Sequence, residues 1–279
     1  MAGHLDRQPT FLITCLPGVE TLKFSVKNVA EPLIFFLLLL LLWEFLVLVV
    51  QVPKFILPPP RDLYHVFIEK FYIITNHAVI TFTEAVGGFA LSLFLGVGFA
   101  ISVVYSRRLQ NTIYPLIVIL YAMPKSALAP LMVIWIGYGI FSKMAIAFLV
   151  AFFPIVVNTV VGLKEVEPEL LDLARIYRGS QWDVFRKIRL PNSLPYMFAG
   201  IKVALILSVT GAIVAEFVAA NQGLGYLVLQ ANYSLDTAFA LVVLLILALL
   251  SLGLFMAVDI VQRRAVPWSA EVRQIEGSF

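Results

Sequence analysis

Two apolar runs, Leu33 to Val50 and Phe239 to Ile260, set the first limit on what this chain can fold into. Each approaches or exceeds the roughly 20 residues that an α-helix needs to cross about 30 Å of hydrocarbon, so both read as membrane spans. The whole chain agrees. Of 279 residues, 61% are hydrophobic and 13% charged, and mean hydropathy is +0.95, outside the range of soluble domains. The fold class is an all-α polytopic membrane protein.

Hydropathy predicts about six spans, near 32–51, 77–105, 112–136, 141–163, 194–220 and 237–261. They form one transmembrane domain at 32–263, between tails at 1–31 and 264–279. The distribution of basic residues orients it. With the N-terminus inside, cytoplasmic segments collect Arg7, Lys23, Lys27, Arg107, Arg108, Lys164, Arg175, Arg178, Arg186, Lys187, Arg189, Arg263, Arg264 and Arg273. The outer segments keep Lys54, Arg61, Lys70 and Lys143, and Asn221 to Asp236 carries no Lys or Arg. Both termini are therefore expected in the cytoplasm. The net charge of +3 records this topology and does not point to nucleic acid.

Other classes are excluded by what the chain lacks. The apolar piece Phe11 to Leu16 is too short for a signal-peptide core, so the N-terminal tail is expected to stay attached. Cys15 stands alone, which rules out an intrachain disulfide or a cysteine-based zinc site. His4, His65 and His77 form no ligand cluster, so no metal centre and no catalytic constellation is expected, and the chain reads as no enzyme. No Gly-Lys-[Ser/Thr] occurs, so the phosphate-binding loop of a nucleotidase is missing.

Prolines mark the irregular places. Leu57 to Pro60 must be extended, because successive prolines remove donors and disfavour helix before them, and a short amphipathic outer helix over Asp62 to Ile74 should follow. Pro124 and Pro130 should break the third span inside the membrane, where freed backbone groups need protein or water as partners.

The only long charged passage between spans runs from Glu165 to Pro191, and a passage of that length predicts two short helices. Pro168 suits a first turn, and Glu165, Glu167 and Glu169 complement the positive end of the helix dipole. Leu170, Leu171, Ala174 and Tyr177 recur at helical spacing, and Gly179 is expected to take the left-handed stop. Ser180 with Asp183 resembles a capping box opening a second helix, which Pro191 is expected to end. A polar hairpin held between spans must meet something in water. An amphipathic hairpin lying on lipid headgroups is the alternative.

Asp172, Leu173, Ala174 and Arg175, followed by a turn and then Ile188, Leu190 and Pro191, resemble the cytoplasmic signature of permease subunits of bacterial binding-protein-dependent ABC importers. That signature reads Glu-Ala-Ala, three residues, Gly, nine residues, Ile-x-Leu-Pro. Asp172 stands for the Glu and the register holds, except that Arg178 occupies the glycine position and Gly179 follows it. The resemblance runs from about Trp43 to Trp268 and is most like the nitrate, sulfonate, taurine and pyrimidine-precursor branch. Trp43-Glu44, Leu57 to Pro60, Pro124 to Pro130, Phe152 to Pro154, Ala215 to Phe217 and Gly223 to Tyr226 carry it.

The resemblance implies a type I importer permease fold in the inner membrane and a dimer of permeases, here read as a homodimer. It also implies two cytoplasmic ATPases that dock on the hairpin and an external solute-binding protein. ATP and magnesium would be held by the ATPases, with no cofactor in this chain. The coupling residues would be Asp172, Leu173, Ala174, Arg175, Arg178, Gly179, Ile188, Leu190 and Pro191.

Ionisable groups within spans are costly, about 2.5 to 3.5 kcal/mol at mid-helix. Glu216, Lys125 and Glu84 are therefore candidate pathway residues, with Asn158, which is expected to bond to another helix. Glu44 reads as pairing with a neighbouring helix, and Lys125 as a counter-ion for Glu216 or a contact for an anionic solute. Small residues recur every four positions at Gly200, Ala204, Ser208, Ala212 and Ala220, with Glu216 on that line, and at Gly88, Ser92, Gly96 and Ala100 below Glu84. A rival function is an ion-coupled secondary transporter or channel using Glu84, Glu216 and Lys125, but no internal repeat between the halves supports it.

Overall fold

The computed structural model describes residues 26–219 and 221–269. Most of the N-terminal tail expected at 1–31, the end of the tail at 264–279, His4, Cys15 and Ala220 lie outside the described residues. The described chain is helical: α1 Val26–Val50, α2 Pro60–Glu69, α3 Phe71–Tyr105, α4 Arg107–Ala122, α5 Ala129–Ile136, α6 Ile140–Lys164, α7 Pro168–Ile176, α8 Gln181–Val184, α9 Leu190–Ala219, α10 Leu224–Tyr233 and α11 Thr237–Ala265.

Among the described residues, four helices are long and apolar enough to cross a membrane: α3, α6, the continuous helix 181–219 and α11. A fifth crossing exists if α4 and α5 count as one span, because they meet at 91° across a short 3-10 turn, Lys125–Leu128. The predicted spans correspond to these helices, with the third interrupted as the prolines predict. Pro124 precedes the break and Pro130 opens α5, and α1 carries the apolar run Ile34–Val50 of the first predicted span. That helix is exposed over most of its surface and packs through Trp43 and Val47, with Glu44 3.5 Å from Arg61 of α2.

Pro59 is extended and Pro60 opens α2, as proline's fixed torsion favours. The amphipathic helix expected over Asp62 to Ile74 ends earlier, at Glu69. Lys70 leaves helical torsions there, at φ −100° and ψ 13°, and its ammonium reaches Asp236 at 2.9 Å. Lys70 also lies 4.0 Å above the Phe239 ring, so one side chain ties the start of α3 to the start of α11.

The core lies along α6, which packs on both α3 and α9. The small-residue stripes make this possible. Glu84, Gly88, Ser92, Gly96 and Ala100 of α3 are all buried, as are Gly200, Ala204, Ser208, Ala212 and Glu216 of α9. A Cβ at Gly88 would lie 2.6 Å from that of Ala147, so the two backbones approach as closely as only such residues permit. Ser92 donates across the same seam to the Phe148 carbonyl at 2.8 Å.

Candidate functional site

The hairpin begins where α6 ends. Glu167 precedes α7 without a side-chain capping bond and Pro168 opens it, with Glu169 in its first turn and Arg175 in its last, both matching the helix dipole. The stop differs from the one expected. Arg178, not Gly179, takes the left-handed conformation, at φ +53°. The Gly179 N–H donates to Ala174 O at 2.9 Å and the Arg178 N–H to Arg175 O at 3.0 Å, the paired bonds of a Schellman stop with Arg178 as its left-handed residue. The backbone therefore keeps the register of the glycine position although an arginine fills it.

The left-handed state costs a non-glycine residue about 1 to 2 kcal/mol, partly offset in glycine by its greater unfolded-state entropy. Arg178→Gly is thus expected to tighten the hairpin and slow its cleavage in limited proteolysis. Gly179→Ala is expected to speed cleavage, because its Cβ would lie 3.2 Å from Ala174 O. Equal rates for the two variants would contradict this assignment.

Ser180 caps α8 by accepting from the Asp183 N–H at 3.1 Å. The Ser180 hydroxyl and then Lys187 hold the Asp183 carboxyl down at about 2, so it is ionised across any physiological pH. Pro191 does not end the second helix. α8 passes through a π-helical turn, Phe185–Arg189, into α9 as one helix, 181–219. The wide turn directly precedes Pro191, where a missing N–H would otherwise interrupt the ladder.

Two side chains then fasten this junction to α6. Arg189 donates to Leu163 O at 3.3 Å and Asn192 to Glu165 O, which occupies carbonyls left open at the helix end. Phe185 is buried between the rings of Tyr105, at 5.7 Å, and Trp182, at 5.5 Å. The hairpin is therefore continuous with α9, clamped to α6 and packed on the end of α3.

Its outer surface is open. Asp172, Leu173, Arg175, Arg178 and Gly179 are exposed, while Ala174, Ile188, Leu190 and Pro191 are half-buried toward the bundle. Ile176, Tyr177 and Trp182 are 76%, 79% and 65% exposed, an unusual density of large apolar side chains beside the Asp172–Arg175 ion pair at 2.8 Å.

At the opposite end of the bundle lies a buried polar cluster. Glu84 of α3, fully buried, pairs with Lys143 in the first turn of α6 at 2.7 Å. Glu216 of α9 accepts from the Thr81 hydroxyl at 2.7 Å and from the Gly225 N–H. Thr81 in turn accepts from the Leu224 N–H at 2.8 Å, and His77 Nδ1 from the Gly223 N–H at 2.9 Å. Three consecutive N–H groups at the start of α10 are thus held by His77, Thr81 and Glu216, and the His77 ring stacks on Tyr226 at 6.0 Å. A short helix that would otherwise expose orphan donors is anchored to α3 and α9. A cavity of about 440 Å³ opens beside the cluster, bordered by Thr83, Glu84, Tyr138, Lys143, Asn221 and Gln222.

The structure brings Glu84 and Glu216 together at this end and leaves Lys125 and Asn158 elsewhere. Lys125 is not the counter-ion of Glu216. It donates to Tyr121 O and lies 4.6 Å and 5.0 Å from the Tyr121 and Phe153 ring centres. Asn158 donates within its own helix, to Pro154 O at 2.8 Å, and lies against Gly200, where a Cβ would come within 2.7 Å of its own. Lys143 is not an outer loop residue but the buried partner of Glu84.

Sequence reasoning also missed His77 and Thr81, whose signal was their spacing, since with the buried Ala85 they form a second row at four-residue steps beside the one that begins at Glu84. It missed Lys202 of α9 as well, which meets Asp259 of α11 at 2.7 Å, an i-to-far pairing that no local pattern announces. Among the described residues no group of His, Cys, Asp and Glu could hold a metal ion.

Comparison with known proteins places this geometry. Residues 92–269 match the family model described as binding-protein-dependent transport system inner membrane component. The riboflavin transport system permease protein of Chloroflexus aurantiacus is 34% identical, over 91% of this chain and 96% of that protein. The formylaminopyrimidine transport permease protein of Halalkalibacterium halodurans is 33% identical, over 85% of this chain and 95% of that protein. In fold, the chain resembles a methionine ABC transporter in an inward-facing conformation, with TM-score 0.62, 19% identity and coverage of 70% of this chain and 97% of that one. The chain belongs to the binding-protein-dependent transport system inner membrane component family and is the membrane-spanning permease subunit of an ABC importer.

Proposed function

We propose that two copies of this chain form a translocation path in the inner membrane, with both termini in the cytoplasm, and that each hairpin receives one ABC ATPase that binds ATP and magnesium. A solute-binding protein delivers cargo at the end that carries α2 and α10. The chain itself catalyses no reaction. The cargo is a small solute of the kinds named for its relatives, riboflavin and formylaminopyrimidine, or of the nitrate, sulfonate and taurine class. Lys125 at the α4–α5 break borders the path, Glu84 and Glu216 hold its outer end in shape, and Asn158 lies between α6 and α9.

The observation that carries this reading is the hairpin. It presents Ile176, Tyr177 and Trp182 to water while its far side is continuous with α9 and clamped to α6 through Arg189 and Asn192. A push or pull on the exposed face would therefore move two core helices together. Residues Asp172 to Arg175, with Ile188, Leu190 and Pro191, act as the coupling set, and Arg178 with Gly179 shapes its turn.

Exchanging Asp172 and Arg175, as Asp172→Arg with Arg175→Asp, keeps their intrahelical attraction but reverses the pattern shown to a partner. The exchange is expected to lower ATPase retention on affinity purification by about tenfold or more, on the scale of losing a complementary charge pair at an interface. Membrane levels of the permease should be unchanged. ATPase retained at the wild-type level would remove the hairpin from the interface.

A further inference from the structure

Two lysines within the membrane helices, away from their cytoplasmic ends, are paired with carboxylates. Lys143 meets Glu84 at 2.7 Å and Lys202 meets Asp259 at 2.7 Å. Lys125 differs, since among the described residues no carboxylate lies within ion-pair distance of it. Its depth makes that absence expensive. It packs over Phe153, midway along α6, where an uncompensated cation costs about 2.5 to 3.5 kcal/mol. One of its three N–H donors serves Tyr121 O, the carbonyl at the end of α4, and the two ring faces attract the charge, but two donors and the charge itself are left over.

The surroundings offer room for a partner. A cavity of about 200 Å³ adjoins Lys125, lined by Met123, Ser126, Ile146, Val150, Thr210 and Val214. It sits where α4 and α5 meet at 91°, and an interrupted helix at this depth must face protein or water, not lipid. The space suits a small group with several acceptors, and the Ser126 hydroxyl borders it, while the Thr210 hydroxyl donates to Ile206 O at 3.1 Å.

We propose that Lys125 and Ser126 form an anion-binding station in the translocation path, taking one carboxylate, sulfonate or small oxyanion group of the passing solute. This rests on the reading of the chain as a path-forming permease. The ammonium supplies the charge, the Ser126 hydroxyl supplies orientation, and the absence of a fixed carboxylate lets the solute leave again. The importer branch that this chain resembles handles both charged and neutral solutes, and an uncompensated cation at mid-depth selects the charged kind.

The test uses the permease with its ATPase in lipid nanodiscs, with Cys15→Ser and Ser126→Cys. The rates at which an anionic sulfonatoethyl and a cationic trimethylammonioethyl methanethiosulfonate modify position 126 are compared. Lys125→Met is expected to lower the anionic-to-cationic rate ratio about tenfold or more, the scale of local concentration that a focused charge produces, and Lys125→Arg is expected to preserve it. A ratio unmoved by Lys125→Met, through a carboxylate from the second copy or otherwise, overturns the proposal, as does failure of both reagents to react. ATPase retention on the unsubstituted chain is scored separately, because its loss would instead defeat the permease reading.

Discussion

Lys143→Met should destabilise the folded chain by about 3 to 5 kcal/mol, the usual cost of removing one partner from a buried ion pair. Glu84 has no exposure and Lys143 only 6%, so the pair is largely withdrawn from bulk water. The carboxylate would be worse off than most, since Glu84 Oε2 already lacks a hydrogen-bond partner and the ammonium at 2.7 Å is the main favourable contact of the group. Methionine matches the lysine stem in length, so packing changes little and the loss reports the charge. The double variant Glu84→Gln with Lys143→Met removes both charges and is expected to recover most of the loss. Thermal unfolding of the purified single and double variants measures the cycle. A single-variant loss below about 1 kcal/mol, the range of an exposed pair, would mean that water reaches this cluster.

The second large effect is expected at Gly223. This residue precedes α10 at φ +113° and ψ 164°, a region essentially closed to residues with a Cβ and worth about 1 to 3 kcal/mol of strain in them. A Cβ there would also overlap the Glu216 carboxylate, which is fixed by Thr81 and Gly225. Gly223→Ala is therefore expected to cost about 3 kcal/mol or more and to free the start of α10, seen as faster amide exchange at Leu224 and Gly225. Adding Glu216→Ala relieves the overlap but leaves the torsion, so the pair should recover only part of the loss. Full recovery would assign the whole effect to crowding, and wild-type exchange in Gly223→Ala would show that α10 does not depend on this anchor.

Much of the fold could be read from local pattern. Apolar runs announced the spans, and the four-residue steps of small residues on α3 and α9 announced the faces that meet α6, because both depend on neighbours in sequence. The Ser180 cap and the Pro168 start were legible for the same reason. Local pattern failed where a residue's conformation depended on its neighbours in space. Gly179 was the natural left-handed residue by propensity, yet hydrogen bonds to Ala174 and Arg175 place that torsion on Arg178. Pro191 should have ended a helix, but the π turn at Phe185–Arg189 and the ties from Arg189 and Asn192 to α6 carry the helix past it.

The amino-acid sequence by itself determined that this chain is helical, that it lives in a membrane and that a polar hairpin hangs between two spans. Each follows from hydrophobic burial and helix periodicity, which act along the chain. Only the tertiary structure decided which charges are neutralised and by whom. Lys143 meets Glu84 across two helices, Glu216 serves the backbone of α10, and Lys125 is left with a cavity instead of a carboxylate. Charge pairing falls off within a few ångströms and joins residues 59 apart in the case of Lys143 and Glu84, so its outcome exists only once the helices have packed.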